Sequence, residues 1–307
     1  MITPILWSYD ASPFTQRALR VLGMKNLDWG WVETPMVPPK DALVALTGGY
    51  RGTPVLQLGN AVYIDSQRIA VELESRFPQP GLFGASGRGV ALMMVKWADA
   101  FFRTGLTISV QLHGAQWPEA FMTDRRHLFA DFDWENALRD STHARAQFRA
   151  HAALLEAQLS DGRLFLCGNT PGLADAHAHP FVWMALAYFP EVACQLFAGF
   201  ERLQAWNERV GALGEGKRTP IPPADALAIA RATESAEQSW VDPNDPQALR
   251  AGERIVVAPE DTRRGEVIGE LVRLDAGEIV VRRSDPACGD VFVHFPRMGY
   301  RVSRAAA

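Results

Sequence analysis

The 307 residues are 48% hydrophobic and 21% charged, with a formal net charge of −4, an ordinary globular balance in a chain long enough for two or three domains. That charge offers no basic field to collect phosphates, so nucleic acid is not an expected partner, and no apolar run approaches the length of a membrane span. Cys167, Cys194 and Cys288 are far apart and odd in number, which excludes a disulfide framework or a zinc knuckle and predicts buried or partly buried free thiols, no bound metal, and a cytoplasmic protein. The opening Met-Ile-Thr-Pro has no basic region, and Pro4 and Asp10 interrupt the apolar run that follows, so no signal peptide is expected.

From Ile5 to Leu22 the chain reads as a short buried strand, a loop, and a helix that opens on Ser12-Pro13. Proline suits the first helical position and serine the cap before it. Phe14, Ala18, Val21 and Leu22 form one apolar stripe. The positive end of this helix points at the loop with the Ser12 hydroxyl beside it, a comfortable place for an anion or a thiol asked to become one. Asp28 to Glu33 is a second strand. A proline-rich loop from Pro35 to Pro39 then leads to a short helix from Asp41 to Leu46, ended by Gly48-Gly49. Two apolar runs around Gly59-Asn60 predict a hairpin, and Asp65-Ser66 starts a helix with an Ile69, Leu73, Phe77 face, stopped by Pro78.

The order βαβαββα, with Ser12-Pro13-Phe14 and Arg17 after the first strand, resembles the glutathione S-transferase superfamily, in particular its omega- and zeta-like cytosolic type in a serine variant. The resemblance implies a thioredoxin-like α/β domain over residues 1–80 that binds glutathione. Thr53-Pro54 falls where the family carries a cis proline whose preceding residue offers its backbone to the cysteinyl part of glutathione. Asp65-Ser66 falls where an acidic residue and a serine hold the γ-glutamyl end. Physical chemistry agrees: a carboxylate attracts the ammonium, and a hydroxyl with helix-terminal amides suits the carboxylate. The bland alternative for Ser12 and for Asp65-Ser66 is a plain helix cap.

After a Pro- and Gly-rich linker, residues 88–215 read as an all-helical domain like the family's C-terminal one, with long amphipathic segments over Val90–Val110 and His143–Leu159; Gln116 to Asp140 is left unassigned. Trp97, Phe101 and Phe102 face either a site or, more commonly at helical spacing, the core. Gly172-Leu173-Ala174-Asp175 resembles the capping segment of the family's buried central helix, with glycine where serine or threonine is usual, which makes Asp175 structural. His177 and His179 lie two apart and point to different sides of a helix, so they are packed histidines rather than metal ligands. The helices fade in the run Gly211 to Pro223.

Residues 224–307 are additional: a helix over Ala224–Ser239, a break at Asp242–Pro246, then short β runs at Arg254, Val267, Glu278, Val291 and Tyr300, read as a small barrel-like, SH3-like domain. Its expected task is packing on the helical domain or building a homodimer rather than closing over a ligand. Arg263, Arg264, Arg282 and Arg283 alternate there with acids, which makes nucleic-acid binding by the barrel only a minor alternative.

The resemblance implies an enzyme that activates the glutathione thiol for attack on an electrophile, with Ser12 as the hydroxyl donor, Tyr9 in reserve, and Thr53, Pro54, Asp65 and Ser66 binding glutathione. Arg17 supports the loop or is a solvated helix-face charge. The alternative is a non-catalytic scaffold or binding protein on the same fold. Without a cysteine before Cys167, glutaredoxin-like exchange is not expected.

Overall fold

The computed structural model describes residues 2–234 and 237–306. β1 (Ile5–Ser8) and β2 (Asp28–Glu33) run parallel on either side of α1 (Pro13–Met24) in the chain. α2 (Asp41–Thr47) precedes β3 (Val55–Leu58), which is antiparallel to β1 and forms the expected hairpin with β4 (Ala61–Ile64) around Gly59-Asn60. α3 (Ser66–Arg76) completes the thioredoxin-like unit.

The helical part comprises α4 (Gly87–His113), α5 (Glu119–Leu128), α6 (Trp134–Arg139), α7 (Thr142–Gln158), α8 (Leu173–Tyr188), α9 (Pro190–Leu196) and α10 (Glu201–Gly211). No helix among the described residues is long and apolar enough to cross a membrane. The stretch without a sequence assignment holds α5 and α6. α8 is buried over most of its length, and Asp175 fixes its start. One Asp175 oxygen accepts from the Gly172 N–H at 2.9 Å; the other accepts from the Leu166 N–H at 2.9 Å and the Trp206 indole at 2.7 Å. The glycine at this cap has a steric cause: a Cβ on Gly172 would stand 2.6 Å from the Leu82 carbonyl oxygen, which itself accepts from the Leu173 N–H. His177 bonds the Leu173 carbonyl through Nδ1, and burial pushes its pKa well down. His179 packs edge-on against Trp206, and burial pushes its pKa to about 3.

Beyond α10 the structure departs from the expectation. The run expected to fade forms β5 (Lys217–Pro220), parallel to β2 and anchored by the Trp29 indole on the Glu215 carbonyl at 2.7 Å. α11 (Pro223–Ala232) stops seven residues short of the expected end, because Thr233 turns extended and its hydroxyl returns to the Ile229 carbonyl. Residues 235 and 236 of that expected helix lie outside the described residues. The β segments are β6 (Trp240–Val241), β7 (Arg254–Pro259), β8 (Val267–Leu274), β9 (Glu278–Asp285), β10 (Gly289–Pro296) and β11 (Tyr300–Arg304).

These strands do not close into a barrel. The sheet order is β11-β7-β8-β9-β10-β4-β3-β1-β2-β5, with β6 beside β8, one open sheet running through the extension and the thioredoxin-like unit. β10 lies parallel on β4, pairing Phe292 with Ala61, Val293 with Val62 and His294 with Tyr63. A strand committed to β4 cannot also close a barrel. One apolar core runs under the joint, with Trp7, Val55 and Val62 on one side and Val281, Val293 and Phe295 on the other. Buried polar contacts cross it too: Gln57, held by the Trp7 indole, donates to the Ala226 carbonyl, and Arg68 pairs with Glu278 at 2.9 Å. The extension therefore builds chiefly on the thioredoxin-like sheet rather than on the helical part, the first of the two tasks expected of it.

Candidate functional site

Ser12 caps α1 with extended backbone, and its hydroxyl accepts from the Thr15 N–H at 3.3 Å. That contact uses an oxygen lone pair and leaves the hydroxyl proton free to donate. Ser12 is only 4% exposed, yet it lines a cavity of about 690 Å³ between the thioredoxin-like unit and helices α4, α5 and α8. Tyr9 lines the same cavity. Its phenol accepts from Arg125 at 3.3 Å, and the Lys40 ammonium lies 5.5 Å from its ring centre. Tyr188 closes the rim, donating to the Ala11 carbonyl at 2.7 Å. Phe14, Phe102, Trp117, Phe121 and Phe129 give the walls a large apolar area, and Arg51 and Arg264 add further cations to them.

An adjoining cavity of about 640 Å³ holds Thr53, Pro54, Asp65 and Ser66. The Thr53–Pro54 bond is cis. Asp65 caps α3, accepting from the Gln67 N–H at 2.9 Å, with a φ of 78° that is rare for a non-glycine residue. Burial pushes its carboxyl pKa up, against the opposing charge of Lys96. Thr53, Phe14, Phe102, Phe129 and Arg264 line both cavities. All six residues singled out from the sequence thus stand around two connected spaces. Of the three aromatic residues on α4, Phe102 lines both cavities, whereas Phe101 is wholly buried and Trp97 packs on the helical core.

Two arginines enter the site in ways the sequence did not show. Arg17 is not a solvated charge: it is 2% exposed, pairs with Asp99 of α4 at 2.8 Å, and reaches the Ser66 hydroxyl at 3.5 Å. Its guanidinium also covers the rings of Phe14 and Phe181, and its Nε and Nη2 have no partner. Arg17 was indecipherable locally because Asp99 lies 82 residues away. Arg264, in the loop between β7 and β8, enters the cleft from the extension, 5.4 Å from the Phe14 ring centre. A pair of close glycines seats that loop: a Cβ on Gly265 would stand 2.2 Å from the Gly49 carbonyl oxygen, and one on Gly49 would stand 2.4 Å from that of Glu266.

Among the described residues no group of three His, Cys, Asp or Glu side chains is arranged to hold a metal ion. Cys167 and Cys288 are buried; Cys194 is exposed, which the expectation of buried or partly buried thiols did not foresee.

Family models for the glutathione S-transferase N-terminal and C-terminal domains match residues 6–81 and 115–209. No curated protein matches the sequence. Among solved structures, a GST-like protein from Pseudomonas syringae is 30% identical with a TM-score of 0.78, over 99% of this chain and 100% of that one. The Tau class glutathione S-transferase from mango (Mangifera indica) is 20% identical with a TM-score of 0.53, over 68% of this chain and 89% of its own. Rice GST1, solved in complex with glutathione, is 20% identical with a TM-score of 0.52, over 74% of this chain and 96% of its own. The two plant proteins establish the fold alone, whereas the bacterial one matches in sequence and architecture from end to end. On these grounds the chain belongs to the glutathione S-transferase family.

Proposed function

We propose that the protein is a glutathione transferase in which Ser12 stabilises the thiolate of glutathione for attack on an electrophile in the larger cavity. The observation that carries this reading is the position of Ser12: its hydroxyl, with a free proton, caps α1 on the wall of an aromatic-walled cavity that adjoins the one holding Thr53, Asp65 and Ser66. In the adjoining cavity Asp65 takes the γ-glutamyl ammonium, while Ser66 and the first amides of α3 take the adjacent carboxylate. The Thr53 backbone, before the cis proline, takes the cysteinyl part. The strained backbone of Asp65 supports the assignment, since such conformations gather at ligand sites. Arg17 holds the Ser66 hydroxyl and ties α1 to α4 through Asp99, so it positions the pocket. Tyr9 is the reserve donor: its phenol accepts from Arg125, which leaves its proton free as well. Assembly as a homodimer belongs to the same proposal and is read by sedimentation velocity.

Calorimetric titration with glutathione, followed by conjugation of chlorodinitrobenzene, tests the proposal. Wild type binds and conjugates, and Ser66→Ala loses most of the binding. Wild type that fails to bind glutathione overturns the reading and favours a non-catalytic scaffold.

A further inference from the structure

We propose that the electrophile carries an anionic group, and that Arg264 of the C-terminal extension selects it. This rests on the glutathione reading for the nucleophile but draws on a different feature, the charge of the larger cavity. No acidic side chain lines that cavity, yet Lys40, Arg51, Arg125 and Arg264 do. Asp124, behind the wall, is shared by Arg51 at 2.5 Å and by Arg125. Arg125 is further spent on Tyr9 and the Met36 carbonyl, while Nη2 of Arg51 is buried without a partner. Lys40 and Arg264 form no ion pair with any described carboxylate.

Asp124 is the carboxylate behind this cavity's own wall, and Asp65 and Asp261 reach Arg264 only from the adjoining one; the cavity side is left about three charges positive, where an uncompensated charge is costly and an arriving anion is correspondingly favoured. The second carboxylate of glutathione and its thiolate neutralise about two of these. The remaining positive charge calls for an anion on the other substrate, and the aromatic walls call for an aromatic or extended apolar body around the reacting carbon.

Arg264 is the best placed of the cations to read that anion. It borders both cavities, so it stands where the thiol and the electrophile must meet. Its backbone is fixed on both sides: its carbonyl accepts from the Arg51 N–H at 2.8 Å, and the neighbouring Arg263 N–H donates to the Leu128 carbonyl at 3.0 Å. Phe14 lies under the guanidinium, and the Tyr50 phenol stands beside it. Asp65 and Asp261 are nearby on the polar side without pairing with it. A planar, preorganised guanidinium of this kind suits bidentate capture of a carboxylate.

The test compares chlorodinitrobenzoate with chlorodinitrobenzene, each rate divided by its uncatalysed rate with glutathione. In both reactions the glutathione sulfur bonds the ring carbon, the carbon–chlorine bond breaks, chloride leaves with the electron pair, and the thiol proton passes to solvent. A parallel titration with dinitrobenzoate and dinitrobenzene, which lack the chlorine, reads pocket binding without turnover through the fluorescence of Trp117. Wild type favours the carboxylate about tenfold or more in both measurements. Arg264→Gln removes most of that ratio, Lys40→Met removes part of it, and Arg264→Lys retains part. Equal handling of the two compounds by wild type overturns the proposal. So does an Arg264→Gln variant that weakens both compounds equally while losing glutathione affinity, which assigns Arg264 to glutathione instead. A wild type that prefers dinitrobenzoate but binds no glutathione refutes the transferase reading and leaves the anion pocket standing.

Discussion

Replacing Ser12 by alanine tests the thiolate assignment quantitatively. A free thiol has a pKa of about 8.5, and holding it about two lower requires roughly 2.7 kcal/mol of preference for the thiolate. A hydrogen bond to a charged group supplies about 1.5–3 kcal/mol. The positive end of α1 adds about 0.3–1 kcal/mol, and alanine leaves that part in place. Ser12→Ala therefore raises the bound thiol's pKa by about one to two. Starting from a pKa of about 6.5, the ionised fraction at that pH falls from half to between about a tenth and a hundredth. The rate loss is thus roughly 5- to 50-fold near pH 6.5, and it shrinks to less than about twofold near pH 9, where both proteins hold mostly thiolate.

The assay is kcat/KM for chlorodinitrobenzene across this pH range, with glutathione saturating and its thiolate absorption read in the binary complex. A profile displaced to higher pH, meeting wild type at the alkaline end, is the expected result. A loss of equal size at every pH refutes thiolate stabilisation by Ser12, because it describes damaged geometry rather than a displaced equilibrium. Stability is a separate readout. Ser12 also accepts from the Thr15 N–H, so its removal costs about 1 kcal/mol of cap and lowers Tm by about 2–4 °C, which does not depend on glutathione.

Ser12→Cys places a thiol at the α1 N-terminus and gains mixed-disulfide reduction that wild type lacks; brisk exchange by wild type refutes the serine reading. Burial lowers the Lys40 pKa to about 8, helped by Arg125, Arg51 and Arg264 and opposed by Asp124. Its charge is present below that pH and lost above it. Dinitrobenzoate affinity in wild type should accordingly fall as pH rises through about 8, and a Lys40→Met variant should show a flatter dependence; identical curves refute the role. Phe295→Ala empties a fully buried site in the core shared by the extension and the thioredoxin-like sheet, at about 3–5 kcal/mol. If that core is one cooperative unit, amide exchange in β1 and β4 accelerates about a hundredfold or more, along with β9. Acceleration confined to β7–β11 shows that the extension unfolds on its own.

Much of the first 80 residues was legible because their signals are local. The Ser12-Pro13 cap, the Gly59-Asn60 hairpin and the Asp65-Ser66 cap each lie within a few residues of what they organise, and the structure forms all three. The extension's strands were equally visible as segments, from Arg254 onward. Their pairing was not, because the joint between β10 and β4 spans more than 200 residues and leaves no local mark. A partial clue existed. Ala61-Val62-Tyr63-Ile64 is apolar on both faces, a pattern of strands covered on all sides and unusual for a sheet edge. The surroundings of Arg17 and Arg264 were illegible for the same reason: an arginine's burial and partners depend on what packs over it, and a single sequence reports neither.

The extension also changes which edges the sheet exposes, and this decides how its role has to be tested. Without it, β4 would be an edge strand with four consecutive buried residues, Ala61 to Ile64, a template for pairing between chains. With it, the sheet ends in β5 and β11. β5 is four residues long with Lys217, Arg218 and Pro220, and β11 carries Arg301 and Arg304; short, charged strands of this kind resist edge-to-edge association. Truncation before β7 would uncover β4 and the apolar core beneath it, so loss of activity in a truncated chain would report aggregation as readily as a missing side chain. The two roles of the extension separate only at single residues. Val293 and Phe295 carry the structural one, sitting in the core, and Arg264 carries the chemical one, in a loop whose backbone is fixed by Arg51 and Leu128. A change of its side chain alone leaves those backbone hydrogen bonds in place, and an effect on electrophile choice without a change in Tm then belongs to the guanidinium.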